Sequence, residues 1–145
     1  MSRLTPAASH VPKPAGAFPG SSGMVVERLV DEVMNGGRPA AAGEIIENEP
    51  LRQRIAAFRS AFTDLHVTIE RAVVDGPLVA VHLIAQGIHT GAVQGGDPTG
   101  RRWSSSCTAI FEVRDGRIVD FWMTWNMLDI LEQLGLVRRA AGISA

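Results

Sequence analysis

Two histidines near the middle of the chain are the side chains best suited to proton transfer at neutral pH. His82 lies among apolar residues in VAVHLIAQ, and His89 precedes Thr90 and Gly91. An imidazole whose pKa is near ~6.5 can take up and return a proton under physiological conditions. His82 is therefore a candidate general base, and a buried structural histidine is the alternative. The two histidines have opposite parity, so both face one cavity only if a β-bulge intervenes.

A second pair of polar groups follows the last strand pattern. Asn126 comes directly after Trp125, and Asp129 lies one helical turn further on. The Asn126 amide can donate a hydrogen bond to a substrate carbonyl, or its oxygen can cap the following helix. Asp129 is favoured in the first turn of a helix by the helix dipole alone. Strict strand alternation predicts that Asn126 shares a face with Ile118, Asp120, Trp122 and Thr124.

Large apolar side chains cluster around the C-terminal strand pattern. Ordinary core packing explains such clustering, and a wall for an extended apolar or aromatic ligand is the functional alternative. On the second interpretation we expect His89 and five apolar residues to contact a substrate: Trp103, Phe111, Trp122, Met123 and Trp125. The chain has no tyrosine, so a phenol cannot serve as its acid or base.

Several other chemistries have no matching pattern. Cys107 is the single cysteine, so no internal disulfide forms, and a cytoplasmic location is expected. No CxxC, HxH or HExxH spacing predicts a metal site. The serines of RWSSSC form no Ser-His-Asp arrangement, and the loop QGGDPTG matches no phosphate-binding motif. We therefore expect neither a metal ion nor an organic cofactor, and we interpret the loop as a flexible connection or a lid.

The composition is typical of one globular domain. Of the 145 residues, 46% are hydrophobic and 20% are charged, and the formal net charge is -1. The absence of a positive excess argues against nucleic acid as a partner, and no apolar run reaches the about 18 residues that a membrane span needs. Residues 1–23 hold four of the eight prolines and are predicted to be a disordered leader, followed by a single domain over residues 24–145.

The order of the predicted elements indicates the fold class. Apolar spacing of three and four predicts helices over 26–34, near 39–47, from Pro50 onward and over 127–136. Alternating patterns predict strands from Leu65 and Leu78, and a hairpin around Asp115 and Gly116. Helices that are segregated from antiparallel strands favour an α+β fold. We expect a cone-shaped α+β barrel, in which a curved antiparallel sheet wraps around the N-terminal helices and leaves an interior pocket.

Several stretches, in this order, resemble the SnoaL-like polyketide cyclase family within the nuclear-transport-factor-two-like superfamily. They are LVDEVMNGG (29–37), FTDLHVTIERAVVDGPLVAVHL (62–83), GIHTGAVQGGDPTGRRW (87–103), and VRDGRIVDFW followed by WNMLDILEQLG (113–135). The resemblance implies a cone-shaped fold, a homodimer and a small polyketide-like substrate. It also implies ring closure without a metal or organic cofactor, in natural-product or antibiotic biosynthesis.

The family pattern carries an aspartate after the tryptophan of the last strand, and that aspartate is the acid/base of the ring-closing members. The matching position here is Asn126, whose carboxamide takes up no proton at useful pH. The resemblance therefore implies closure by enclosure and by carbonyl hydrogen bonding from Asn126. Such closure is either pericyclic (Diels–Alder-type), or aldol-type with His82 as base. A hydroxylase- or isomerase-like tailoring enzyme and a non-catalytic binding protein are the alternatives on the same fold.

Overall fold

The computed structural model describes residues 20–93, 95–138 and 140 of the chain. In chain order its elements are α1 (Gly20–Arg28), a π-helical segment (Leu29–Met34), α2 (Ala41–Ile45), α3 (Glu49–Ala61), β1 (Phe62–Asp75), β2 (Leu78–His89), β3 (Arg102–Arg114), β4 (Arg117–Trp125) and α4 (Met127–Gln133). The predicted leader lies outside the described residues, except that residues 20–23 begin α1. None of the helices in the described part has the length and apolar character needed to cross a bilayer.

The first helical layer buries one apolar stripe and is held to the sheet by an amide. The buried stripe is Val26, Leu29, Val30 and Val33. Asn35 follows the π-helical segment, and its Nδ2 donates to the Val67 carbonyl at 2.6 Å while its Oδ1 accepts from the Val67 amide at 2.7 Å. The Asn35 side chain thus pairs with β1 as a neighbouring strand would, and this pairing fixes the layer against the sheet.

A cap and a proline define the start of α3. The Asn48 Oδ1 accepts a hydrogen bond from the Leu51 backbone N–H at 3.0 Å, and Pro50 lies in the first turn, where its missing N–H costs nothing. The Asn48 Nδ2 donates to the Val119 carbonyl at 3.2 Å. Leu51 and Ile55 are buried below it. The start of α3 is therefore tied to β4 at the edge of the sheet.

The four strands form one antiparallel sheet in the order β1-β2-β3-β4. β2 and β3 alternate regularly between a buried inner face and an outer face. The inner positions include Val79, Val81, Leu83, Ala85 and His89 of β2, and Trp103, Cys107, Ala109 and Phe111 of β3. Segregated helices and a curved antiparallel sheet confirm the predicted α+β class and the pocket-forming architecture.

A β-bulge interrupts the alternation of β4. Val113 lies opposite Ile118, and the next pair is Glu112 with Asp120, so Val119 is the extra residue. Ile118 is buried. Beyond the bulge the side chains packed against the core are those of Phe121, Met123 and Trp125. The bulge therefore sends the odd-numbered residues of the second half of β4 inward.

Candidate functional site

An apolar cavity of about 490 Å³ lies between α3 and the inner face of the sheet. Its sheet side consists of Leu83, Phe111, Met123 and Trp125, and its helical side includes Leu29, Met34, Ile55 and Phe58. Ala92 and Val93 from the loop after β2, and Met127 and Ile130 from the C-terminal helical region, complete the wall. This volume and this lining are typical of sites for small organic molecules.

α3 contributes a continuous stripe to the cavity wall. The stripe is Arg54, Ala57, Phe58 and Ala61, which are spaced as neighbours on one helical face. The Phe58 ring stacks on Trp125, with centroids 4.8 Å apart, and meets the edge of Phe62 at 5.1 Å. Together these rings make the aromatic part of the wall.

Of the residues predicted to contact a substrate, the structure brings Phe111, Met123 and Trp125 to the cavity wall. Trp103 lies one layer behind them. It is only 3% exposed, and its ring centroid is 5.8 Å from that of Phe58 and 4.6 Å from that of Phe62.

His82 and Trp122 do not reach the cavity, which corrects the predicted faces. The His82 Nε2 is 3.5 Å from the Glu70 Oε2, and its side chain is 39% exposed. Trp122 is 53% exposed and lies opposite Ile110. Even-numbered positions of β2 and of the second half of β4 point outward, because β2 alternates regularly and the bulge at Val119 shifts β4 by one residue.

Asn126 caps α4 and is outside the cavity wall. Its Oδ1 accepts a hydrogen bond from the Asp129 backbone N–H at 3.3 Å, and its side chain is exposed. The residues on either side, Trp125 and Met127, both line the cavity. Of the two interpretations of Asn126, the structure shows the helix cap, and the amide is not part of the cavity wall, so its contact with a substrate carbonyl stays a prediction.

His89 holds the loop that closes one side of the cavity. It has no exposed surface, and its Nδ1 accepts a hydrogen bond from the Thr99 backbone N–H at 3.1 Å. The Thr99 hydroxyl is also 3.0 Å from Nδ1. Because Nδ1 accepts, the neutral ring carries its proton on Nε2. The loop between these residues contains Ala92 and Val93 of the wall.

Two buried N–H groups lie without a partner behind the aromatic wall. Within the described ranges, the buried side-chain atoms that lack a hydrogen-bond partner are His89 Nε2 and Trp103 Nε1. Gly87 lies opposite Trp103, and a Cβ built on it would be 3.4 Å from Nε1, so the missing side chain leaves space beside that donor. Phe62 lines the cavity, and its ring centroid is 6.0 Å from that of His89 and 4.6 Å from that of Trp103. Buried donors are nearly always paired, so these two call for an explanation.

The sequence reasoning missed three residues that shape the site. Arg54 and Phe58 line the cavity from α3, and their spacing with Ala57 and Ala61 was the available signal. Gln133 holds α4 on β3, since its Nε2 donates to the Ser104 carbonyl at 2.8 Å and its Oε1 accepts from the Ser104 amide at 2.9 Å. No sequence pattern distinguishes this glutamine from a solvated one.

Cys107 and the acidic residues offer no further reactive centre. Burial raises the pKa of the Cys107 thiol to about 12, which leaves it protonated and unreactive. Asp129 accepts from the Ser105 hydroxyl at 3.2 Å and from the Gln133 amide at 3.0 Å. In the part of the chain that the structure describes, no group of three or more His, Cys, Asp or Glu side chains is placed to hold a metal ion.

Several solved bacterial structures share this architecture. TsrD from Streptomyces laurentii superimposes with a TM-score of 0.73 at 24% identity, covering 83% of this chain and 98% of that chain. IdmH from Streptomyces antibioticus, provisionally named a polyketide cyclase, gives a TM-score of 0.68 at 25% identity over 80% of this chain and 99% of its own. AclR from Streptomyces galilaeus, provisionally named a hydroxylase, gives a TM-score of 0.70 at 19% identity, covering 81% of this chain and 97% of its own.

Sequence comparison identifies the family. No curated protein matches the chain. The profile of the SnoaL-like polyketide cyclases matches residues 24–134, which is most of the chain and includes every wall residue of the cavity. The chain therefore belongs to the SnoaL-like polyketide cyclase family.

Proposed function

We propose that this protein closes a ring in a polyketide-type intermediate by enclosing it and hydrogen-bonding its carbonyl groups. The observation that carries the proposal is the apolar, aromatic-walled cavity of about 490 Å³ in a member of this family. A flexible apolar chain bound there is held in a folded conformation with its reacting carbons close together. Such positioning contributes up to ~7–11 kcal/mol to lowering the barrier in the best cases.

The wall favours closure without a proton-transferring side chain. Among the described residues that line the cavity there is no carboxylate, imidazole, thiol or hydroxyl group. An aldol closure needs a base, and His82 lies on the outer face beside Glu70. A pericyclic, Diels–Alder-type closure needs no proton transfer. It is therefore the form of ring closure that we propose.

We assign the carbonyl hydrogen bonds to Trp103 and His89. Their N–H groups are buried and unpartnered among the described residues, and both lie beside Phe62, which lines the cavity. Rotation of the Phe62 ring would open a path from the cavity to these donors. A substrate carbonyl oxygen there would satisfy them and gain electrophilic activation in a site shielded from water.

Two other functions remain candidates on specific observations. The likeness to AclR, provisionally named a hydroxylase, supports a hydroxylase-like enzyme. The lack of acid or base groups among the described wall residues supports a protein that binds a natural product without converting it. The three candidates differ in the mass or in the bond connectivity of the molecule that is recovered, so one experiment separates them.

The test is incubation of the purified protein with a linear substrate that carries a conjugated diene and an alkene conjugated to a carbonyl group, followed by mass spectrometry and NMR. A pericyclic cyclase gives a ring-containing product of unchanged mass, whereas a product that has lost water indicates an aldol-type closure and contradicts the pericyclic form. A hydroxylase gives a product that has gained oxygen. Recovery of the unchanged linear substrate from a tight complex supports the binding protein, and it contradicts the cyclase.

Two variants test the assigned donors in the same assay. Trp103→Phe removes the indole N–H but keeps an aromatic ring, and we expect it to lower kcat more than it changes KM. Asn126→Ala removes a helix cap, so we expect it to lower thermal stability while kcat in the folded protein stays unchanged. The reverse pattern, with kcat lost in Asn126→Ala and retained in Trp103→Phe, would indicate that Asn126 and not Trp103 hydrogen-bonds the substrate carbonyl.

We also propose that the protein works as a homodimer in the cytoplasm, in natural-product or antibiotic biosynthesis. Large apolar side chains exposed on the outer face of the sheet, among them Val73, Ile110 and Trp122, support the dimer. The free thiol of Cys107 is compatible with a reducing compartment. Fractionation of the producing cells tests the location.

A further inference from the structure

We propose that the ligand of the cavity carries an anionic oxygen group, and that the guanidinium of Arg54 binds it at the cavity mouth. This inference rests on the proposed function, because it takes the cavity as the substrate site. It narrows the ligand class to apolar, ring-forming molecules with one acidic group, such as a carboxylate. Neither the family match nor the structural neighbours assign a role to Arg54.

Arg54 is the charged residue of an otherwise apolar wall, as far as the structure describes it. It occupies the first position of the α3 stripe that continues through Ala57, Phe58 and Ala61. Its side chain is exposed, which places it at the mouth rather than in the interior. A stripe that lines an apolar cavity would normally carry an apolar residue at this position.

An aromatic ring holds the guanidinium without neutralising it. The Arg54 Cζ lies 5.4 Å from the centroid of the Phe121 ring, which is an inward position of β4. A cation over an aromatic face is attracted by the ring quadrupole but keeps its full charge and its N–H donors. The contact therefore orients the Arg54 side chain and leaves its hydrogen-bonding edge available to a ligand.

The other arginines of the helical layer have oxygen partners. Arg28 pairs with Glu32 and Glu44, Arg38 with Glu32, Arg52 with Glu49, and Arg59 donates to the Val33 carbonyl. For Arg54, neither a carboxylate nor a carbonyl oxygen lies within hydrogen-bonding distance among the described residues. An unneutralised arginine beside an apolar cavity is suited to an anion that enters from solution.

The geometry of the guanidinium provides the selectivity for an anionic oxygen group. A guanidinium can bind a carboxylate through two parallel hydrogen bonds. The aromatic wall accepts the rings of the ligand, and Arg54 fixes which end faces the mouth. A neutral analogue of the same shape gains the apolar contacts but not the charge-assisted hydrogen bonds.

A matched pair of probes tests the inference: anthraquinone-2-carboxylic acid and anthraquinone-2-carboxamide. Binding is followed by quenching of tryptophan fluorescence, to which Trp125 in the wall contributes. We expect the wild-type protein to bind the acid about tenfold more tightly than the amide. Arg54→Gln should remove this preference and leave the affinity for the amide unchanged. Arg54→Lys should retain part of it, because the charge remains but the planar fork is lost.

Arg71→Gln is the matched control, since Arg71 is an exposed arginine of β1 opposite His82 on the outer face. It should keep the wild-type preference for the acid. Circular dichroism on each variant confirms that the fold is intact. Equal binding of the two probes to the wild type, or a preference that survives Arg54→Gln, overturns this inference alone. Failure of both probes to bind overturns the proposed function of the cavity as well.

Discussion

His89 has one satisfied and one unsatisfied ring nitrogen, although its side chain has no exposed surface. A buried donor that stays without a partner costs roughly 1–3 kcal/mol, and the Trp103 Nε1 is a second such donor in the same region. Both donors gain a hydrogen bond if a ligand oxygen reaches them. Penalties of this kind are retained where they serve binding or chemistry.

The single cysteine gives a prediction about pH. We expect the free energy of unfolding to fall as the pH rises above about 9, since burial raises the pKa of Cys107 from 9.0 to about 12. The folded state holds this proton more tightly than the unfolded state does. The resulting stabilisation is complete below pH 9.0 and is lost as the pH passes through about 12. Urea unfolding curves at several pH values across this window measure it.

Few other side chains titrate in the same alkaline pH range as Cys107, because the chain has no tyrosine and Lys13 is its single lysine. Cys107→Ala is the control and should show a flatter alkaline limb. An equally steep fall of stability with pH in that variant would assign the effect to other groups.

Strand parity decides how much of the site could be predicted at the level of residues. Phe111, Met123 and Trp125 were predicted from the clustering of large apolar residues, and they line the cavity. Trp122 belongs to the same cluster but faces outward. The clustering of apolar residues in the sequence does not indicate which face of a strand each side chain occupies. The one-residue shift at Val119 has no sequence signature of its own.

At the level of elements, residues 89–91 (HTG) and 98–100 (PTG) together hold the loop after β2. The His89 backbone N–H donates to the Arg101 carbonyl at 2.9 Å, and the Gly100 N–H donates to the His89 carbonyl at 2.8 Å. The amides of Thr90 and Gly91 both donate to the Ala61 carbonyl, at 3.0 and 2.9 Å. The loop is thereby attached both to the sheet and to the end of α3.

Gly91 is required by this close approach. A Cβ on Gly91 would lie 2.2 Å from the Ser60 carbonyl oxygen, which belongs to rigid helical backbone. We expect Gly91→Ala to lower the free energy of unfolding by about 1–3 kcal/mol, as overpacked sites do. It should also weaken ligand binding, since Ala92 and Val93 of the wall would move with the loop. Thermal and urea unfolding measure the first effect.

Gly43→Ala is the matched control. Gly43 lies within α2, and nothing lies within 4 Å of the Cβ that alanine would add. Alanine is the better helix former, so this variant should be neutral or more stable by up to ~1 kcal/mol. Equal effects of the two substitutions would mean that the Gly91 contact is relaxed in solution.

The existence and order of the helices and strands could be predicted from periodicity. The residues at which they begin and end could be predicted less well. The predicted strand from Leu65 starts at Phe62, and the helix predicted from Val26 starts at Gly20. The segment after Arg28 is π-helical rather than α-helical. Tertiary contacts set these limits, as when Asn35 pairs with β1, and a local pattern contains no information about them.

For the whole molecule, the two faces of the sheet have different tasks. The inner face and the helices enclose the cavity, whereas the outer face exposes Trp122 beside its cross-strand neighbour Ile110. Exposed apolar side chains that adjoin one another across strands favour association. This face is the expected contact between two copies of the chain.

We expect sedimentation velocity to show a dimer for the wild type and a monomer for Trp122→Lys, because a charge buried in an apolar contact is costly. Leu128→Lys is the control, since Leu128 is 55% exposed on α4 rather than on the sheet. A monomeric wild type would contradict the dimer. A Trp122→Lys variant that stays dimeric would place the contact elsewhere.

The overall architecture could be predicted because segregated helices, regular alternation and several family-like stretches all indicated the same fold. The position of the polar groups could not. It depends on which side of each strand faces the helices, and on one bulge in β4. The resemblance implied that Asn126 occupies the position of the family's acid/base aspartate. In the structure its side chain caps α4.

The extra residue in β4 bears on how this chain aligns with its homologues. Because Val119 is accommodated outside the regular pairing, a homologue that lacks it would still turn Phe121, Met123 and Trp125 toward the helices. Insertion or deletion at position 119 therefore leaves these three side chains facing inward. An insertion or deletion within 121–125 would turn the residues on one side of the change to the opposite face of the sheet. In a sequence alignment of homologues, a gap in β4 is therefore best placed at position 119.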